Sequence, residues 1–159
     1  RRSRRGASGR RRRSSSSATR SPSCGSRSSI ESLPSRDGAR QTFYQRLLTV
    51  LAQPVVRDGQ WRLLECAPAW DGNWTADCYI AWAWEAPGGQ RRLVAVNYAD
   101  HQAQCRVRLP YPDLDGRAVT LQDLLDPARY DRDGRELVSG GLFLDLGAWG
   151  YHVFEITSR

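Results

Sequence analysis

The chain has 159 residues, a formal net charge of +7 and four cysteines, a length that allows one domain with a core of its own. Residues 1–40 hold 12 arginines against Glu31 and Asp37, a balance of +10, whereas the remaining 12 arginines meet 15 acids, a balance of −3. The body is therefore mildly acidic and its charge calls for no polyanionic partner; no run of about 18 apolar residues marks a membrane span, and no charged start leading into an apolar stretch marks a secretory signal.

The first 40 residues, opening "RRSRRGASGRRRRSSSS", offer only Ile30 and Leu33 as bulky apolar side chains. A segment with so little to bury does not offset the entropy of ordering, so disorder is expected over 1–40. Clustered arginines also suit a phosphate-binding arm. Against that, all 24 basic residues of the chain are arginine, a sign of GC-rich coding, and an out-of-frame reading of such a gene yields Arg/Ser/Gly/Pro strings. The segment is read as a misread or unrelated extension, with nucleic-acid binding as the competing reading. The chain contains no Met and begins at Arg1, so a fragment without its own N-terminus is expected, and its compartment is expected to be cytoplasmic.

"QTFYQRLLTVLAQP" places Phe43, Leu47, Val50 and Leu51 at i, i+4, i+7 and i+8, one apolar stripe of a short helix over 41–53 that Pro54 closes. The period then changes to two. Strands are expected near 61–66, 78–85, 91–98, 104–109, 118–123, 142–145 and 150–156, separated by the turn chemistry of "APGGQ", "NYADHQ", "PYPDLDG", "DPARYDRDG" and "GAWG". The expected class is all-β: an antiparallel Greek-key β-sandwich over 54–159, preceded by one short α-helix and the tail. "RRLVAVNY" reads as a central strand, joined in a hairpin to "CYIAWAWE" through Pro87, Gly88 and Gly89.

Cys24, Cys66, Cys78 and Cys105 lie far apart, without a C-x-x-C pair and with only His101 and His152 to join them. Buried reduced thiols are expected in place of a zinc site, and a Cys66–Cys78 disulfide stays open if their strands face each other. In "PAWDGNWTADCYIAWAWE", Trp82 and Trp84 share one strand face and are expected in the core. Trp70 and Trp74 stand in a loop with Asp71 and Asn73. These four are the candidate carbohydrate contact, rings for the C–H faces of a sugar and polar side chains for its hydroxyls. Asn73, Trp74 and Thr75 also form an N-x-T acceptor, meaningful only in a glycosylating pathway. There is no G-x-S-x-G elbow. Glu65, Asp71, Asp77 and Glu85 are scattered acids that read as surface solvation and not as a paired hydrolytic site, and "VSGGLFL" reads as a bulge or turn. No catalytic residue, cofactor or metal is expected.

Taken in order, "FYQRLLTVL", "WRLLECAPAWDGN", "YIAWAWE", "LVAVNYADHQAQCRVRLP", "LQDLLDPARYDRDG" and "LFLDLGAWGYHVFEI" resemble the C-terminal end of an alpha-amylase superfamily glycoside hydrolase, over Thr42 to Ile156. The resemblance implies that Phe43–Leu51 is the last helix of a catalytic (β/α)8 barrel and that the rest is the all-β domain following it. It implies a parent enzyme that cleaves α-glucosidic bonds by the retaining two-carboxylate route on barrel strands that lie outside the matched positions. The chain itself is then inert, its partner the barrel of the same parent and an α-glucan a further ligand. A freestanding carbohydrate-binding sandwich is the alternative.

Overall fold

The computed structural model describes residues 36–159. The disorder expected of the Arg/Ser-rich stretch falls, up to residue 35, outside the described residues. Helix α1 (Arg36–Leu51) begins inside that stretch, earlier than the apolar stripe alone suggests. Pro54, expected to close the helix, instead opens a second single-turn helix, α2 (Pro54–Arg57), where its fixed φ is already helical and its missing N–H is not needed. No helix among the described residues is long and apolar enough to cross a membrane.

Among the described residues nine strands follow: β1 (Gln60–Leu64), β2 (Cys66–Ala67), β3 (Tyr79–Glu85), β4 (Arg91–Asn97), β5 (Ala103–Val107), β6 (Ala118–Asp123), β7 (Arg129–Asp133), β8 (Leu142–Leu146) and β9 (Tyr151–Ser158). They form a six-stranded sheet in the order β1-β3-β4-β9-β6-β7 and a three-stranded sheet in the order β2-β5-β8, with antiparallel pairing throughout. The class is the expected all-β sandwich.

Two elements replace expected turns. "DPARYDRDG" holds β7, a largely exposed strand that pairs only with β6; an edge strand of charged side chains shows no apolar alternation. Val138, Ser139 and Gly140 of the "VSGG" stretch end helix α3 (Gly134–Gly140), with Gly141 as its C-cap; Asp133 caps the start, its side chain accepting from the Arg135 N–H at 2.7 Å. Gly134 is required there, because a Cβ would stand 1.8 Å from the Leu114 carbonyl oxygen.

The interior lies between the sheets. Ala81, Ala83, Leu93, Leu121, Phe154 and Ile156 of the large sheet meet Cys105, Val107, Leu142 and Leu144 of the small one. Trp82 and Trp84 are not in it: the alternation of β3 turns Tyr79, Ala81 and Ala83 inward and Ile80, Trp82 and Trp84 outward. The expectation of reduced cysteines is met among the described residues, although only Cys105 is fully buried, and the Cys66–Cys78 disulfide left open is not formed. Cys66, Cys78 and Cys105 are free thiols. The neighbouring Cys105 thiol lowers the Cys66 thiol pKa, while Cys66 and burial raise Cys105; Cys78 instead lies 3.8 Å from His101 Nε2. The strands carrying Cys66 and Cys105 pair, with Cys66 opposite Val107, and Cys78 ends the 3-10 turn Thr75–Cys78 on another side.

Candidate functional site

The loop before β3 carries the four expected sugar-contact residues and divides them. Asn73 is buried, and its Oδ1 accepts from the Ala76 N–H at 3.2 Å and from the Thr75 hydroxyl at 2.9 Å. Thr75 in turn accepts from the Gln104 N–H at 3.0 Å. This is the side-chain-to-backbone bonding that nucleates the turn Thr75–Cys78, so the Oδ1 of Asn73 is spent on the fold. Asp71 is exposed, and Trp70 and Trp74 are 55% and 67% exposed. The Trp74 ring leans on His101 at 5.5 Å and 46°, and His101 Nδ1 lies 3.1 Å from Asp100.

A further exposed tryptophan joins this end of the sandwich. Asn97, fully buried at the end of β4, donates from Nδ2 to the carbonyls of His101, Leu146 and Gly147 and accepts from the Ala99 N–H. One side chain thus pins the loop 98–102 against the loop 147–150. In the second loop Trp149 has φ +57°, the sole non-glycine in that region among the described residues, and its N–H donates to Ala99 at 3.0 Å. The ring is 64% exposed. A bulky residue in left-handed backbone carries strain that only its surroundings hold in place.

The outer face of the large sheet is the third feature. Leu63, Trp82, Val94 and Val153 stand directly opposite one another across β1, β3, β4 and β9. On β9 the row is covered: Val153 is buried with Val50 of α1 and Leu125, and Phe43, Leu47 and Val94 pack against them. Phe43 also meets Tyr151 edge-on at 5.7 Å. Helix α1 thus has the large sheet as its partner, though Leu51, expected on the same stripe, faces solvent. On β1 the row is open. Leu63 is 60% and Trp61 54% exposed, Ile80 is exposed, and Trp82 and Trp84 are half-buried with their rings 6.3 Å apart. Tyr44, Leu48 and Leu51 of α1 are exposed too.

Several acids near the strands are held by arginine. Arg91 bonds both Glu85 and Asp113 at 2.8 Å while stacking on Tyr111 at 4.1 Å, and Arg92 bonds Glu155 at 2.9 Å. Arg91 holds the Asp113 carboxyl below its ordinary range. One acid-base pair was not legible beforehand. Asp123, with its side chain almost wholly buried, accepts from the N–H groups of Leu125 and Asp126 through Oδ1 and meets His152 Nδ1 at 2.7 Å through Oδ2. The "DLLD" turn signals the first two bonds; the third depends on β6 lying beside β9, which nothing local announces.

No protein-family model matches the chain, and no curated protein does. A solved structure from Bacillus halodurans C-125, by its description an alpha-N-acetylgalactosaminidase and hence a glycoside hydrolase, is similar at a TM-score of 0.42 and 14% identity, over 62% of this chain and 22% of that one. The chain thus spans less than a quarter of that protein's length.

Proposed function

We propose that the chain is a non-catalytic β-sandwich of a glycoside hydrolase, acting as the support of a catalytic (β/α)8 barrel of the same polypeptide that cleaves α-glucosidic bonds. The order of its segments, which resembles the C-terminal end of alpha-amylase superfamily enzymes, supports the family. The open half of the outer sheet face supports the role. A contiguous apolar ladder of exposed Trp61, Leu63 and Ile80 with half-buried Trp82 and Trp84 is the mark of a surface made to be covered. Glu85, Asp113 and Glu155, engaged by Arg91 and Arg92, serve the fold, which fits a domain that supports catalysis elsewhere.

Two measurements test this. Translation of the upstream DNA in all three frames is expected to show barrel sequence, and its absence from every frame overturns the proposal. The purified chain is expected to leave starch and maltooligosaccharides intact; measurable turnover overturns the inert role.

A freestanding carbohydrate-binding sandwich is the second reading. It is favoured by Trp74 and Trp149, exposed rings that both adjoin the loop 98–102. Binding to insoluble starch that is lost in Trp74→Ala, with no barrel encoded upstream, selects it. Nucleic-acid binding through residues 1–40 is the third, and it requires a steep salt dependence that disappears in a chain starting at Gln41.

A further inference from the structure

The two sheets differ in width, and the difference leaves a cleft. The small sheet ends at β8, whereas the large one continues beyond it through β6 and β7. Between the free edge of β8 and that unroofed wing lies an open space of about 190 Å³ lined by Tyr130, Arg132, Phe143, Asp145, His152 and Phe154, with leucines behind them. Its walls are aromatic. His152 and Phe154 stack at 4.6 Å and 25°, and Tyr130 stands edge-on to both at 5.8 and 5.7 Å.

Its polar groups are few and fixed. Asp123 Oδ2 lies 2.7 Å from His152 Nδ1, which fixes the imidazole where it lines the cleft. Asp145 is held by the side-chain amides of Gln102 and Gln104 at 2.7 and 3.0 Å, which keep its carboxyl below the ordinary range. It is a fixed acceptor. Arg132, with its guanidinium 5.4 Å over the Tyr130 ring, is the donor. Arg132 and Asp145 bring opposite charges to the lining, and Asp123 behind it is paired with His152, so no lone charge selects an anion or a cation.

We infer that this cleft binds one neutral sugar ring, the C–H face against the rings of Tyr130 and Phe143, with Phe154 buried behind them, and the hydroxyls on Asp145, Arg132 and His152. An aromatic wall with a small number of converging donors and acceptors is the chemistry of such sites. The volume, below the roughly 300 Å³ at which sites for larger ligands begin, admits a single ring. The cleft opens on the inner side of the large sheet, on the face opposite the apolar ladder, so the inference stands or falls apart from the proposed docking role.

Titration of the full chain with methyl α-D-glucopyranoside, followed by NMR of the His and Tyr side chains, tests it. The expected result is a saturable shift of the His152 and Tyr130 signals with a Kd on the order of 1 mM, while the indole signals of Trp70 and Trp74 stay in place. Asp145→Asn and Arg132→Gln alter exposed rim groups and leave the core intact; each is expected to raise the Kd about ten-fold, the effect of one lost hydrogen bond to a charged group. The inference is overturned if His152 and Tyr130 do not respond, if the rim variants bind as the parent does, or if indole saturates the cleft and the glucoside does not.

Discussion

The β4–β9 half and the β1–β3 half of the outer sheet face carry the same kind of side chain and meet different fates. One cross-strand row contains both: Val153 is buried beneath Val50 and Leu125, and Leu63, three strands away, is 60% exposed. Neither hydrophobicity nor strand parity separates the two. What separates them is α1, which covers Val153 on β9 and leaves Leu63 on β1 exposed. An apolar strand face states only that a cover is needed; the cover itself is a matter of which element reaches it.

That contrast can be broken or sharpened by substitution. The reference is the interior, where Leu121→Ala removes a fully buried side chain and is expected to cost about 2–5 kcal/mol, read from the urea midpoint. Beneath the helix, Val50→Ala deletes two carbons from the covered half and is expected to cost about 1–2 kcal/mol; a loss near zero would mean that α1 does not cover the sheet in solution. Trp149→Gly tests the other exposed region, the strained loop. Relief of the positive φ is expected to raise stability by about 1 kcal/mol, seen as a higher Tm.

On the open half, Leu63→Ala is expected to change stability by no more than about 0.5 kcal/mol while reducing the binding of a hydrophobic dye. A larger loss would show that this half is already covered. Smallest is the acid-side effect of Asp113. Arg91 lowers its pKa in the folded state from the ordinary 3.8, so its contribution is complete above that value and is lost as the pH falls through the folded one. Asp113 is about half exposed, so solvent screening keeps the effect small. Urea midpoints at about pH 5 and about pH 3 are expected to differ less in Asp113→Asn than in the parent.

Much of the sandwich was legible because alternation is local. Leu93 and Ala95 against Val94 and Val96 announce a strand in seven residues, and the turns announce themselves by Gly and Pro. The edge strand β7 was not, because a strand paired on one side and exposed on the other needs no apolar side chain. The placement of Trp82 and Trp84 was not, because parity groups the two tryptophans on one face and the two alanines on the other without stating which face is inside. Of the candidate site, the exposure of Trp70 and Trp74 could be read from their loop; the burial of Asn73 could not, since it depends on a turn tied through Thr75 to Gln104 on β5.

The amino-acid sequence by itself determined the all-β class, the antiparallel strands that alternate, the helix stripe of Phe43, Leu47 and Val50, and the separation of a basic tail from a mildly acidic body, all of which follow from periodicity and composition. Only the tertiary structure decided that this stripe lies on the sheet, that Cys66 meets Cys105, that Asp123 holds His152, and that a cleft opens beyond β8. Each of these joins residues far apart in the chain, and their meeting is set by strand order, which short-range patterns do not encode.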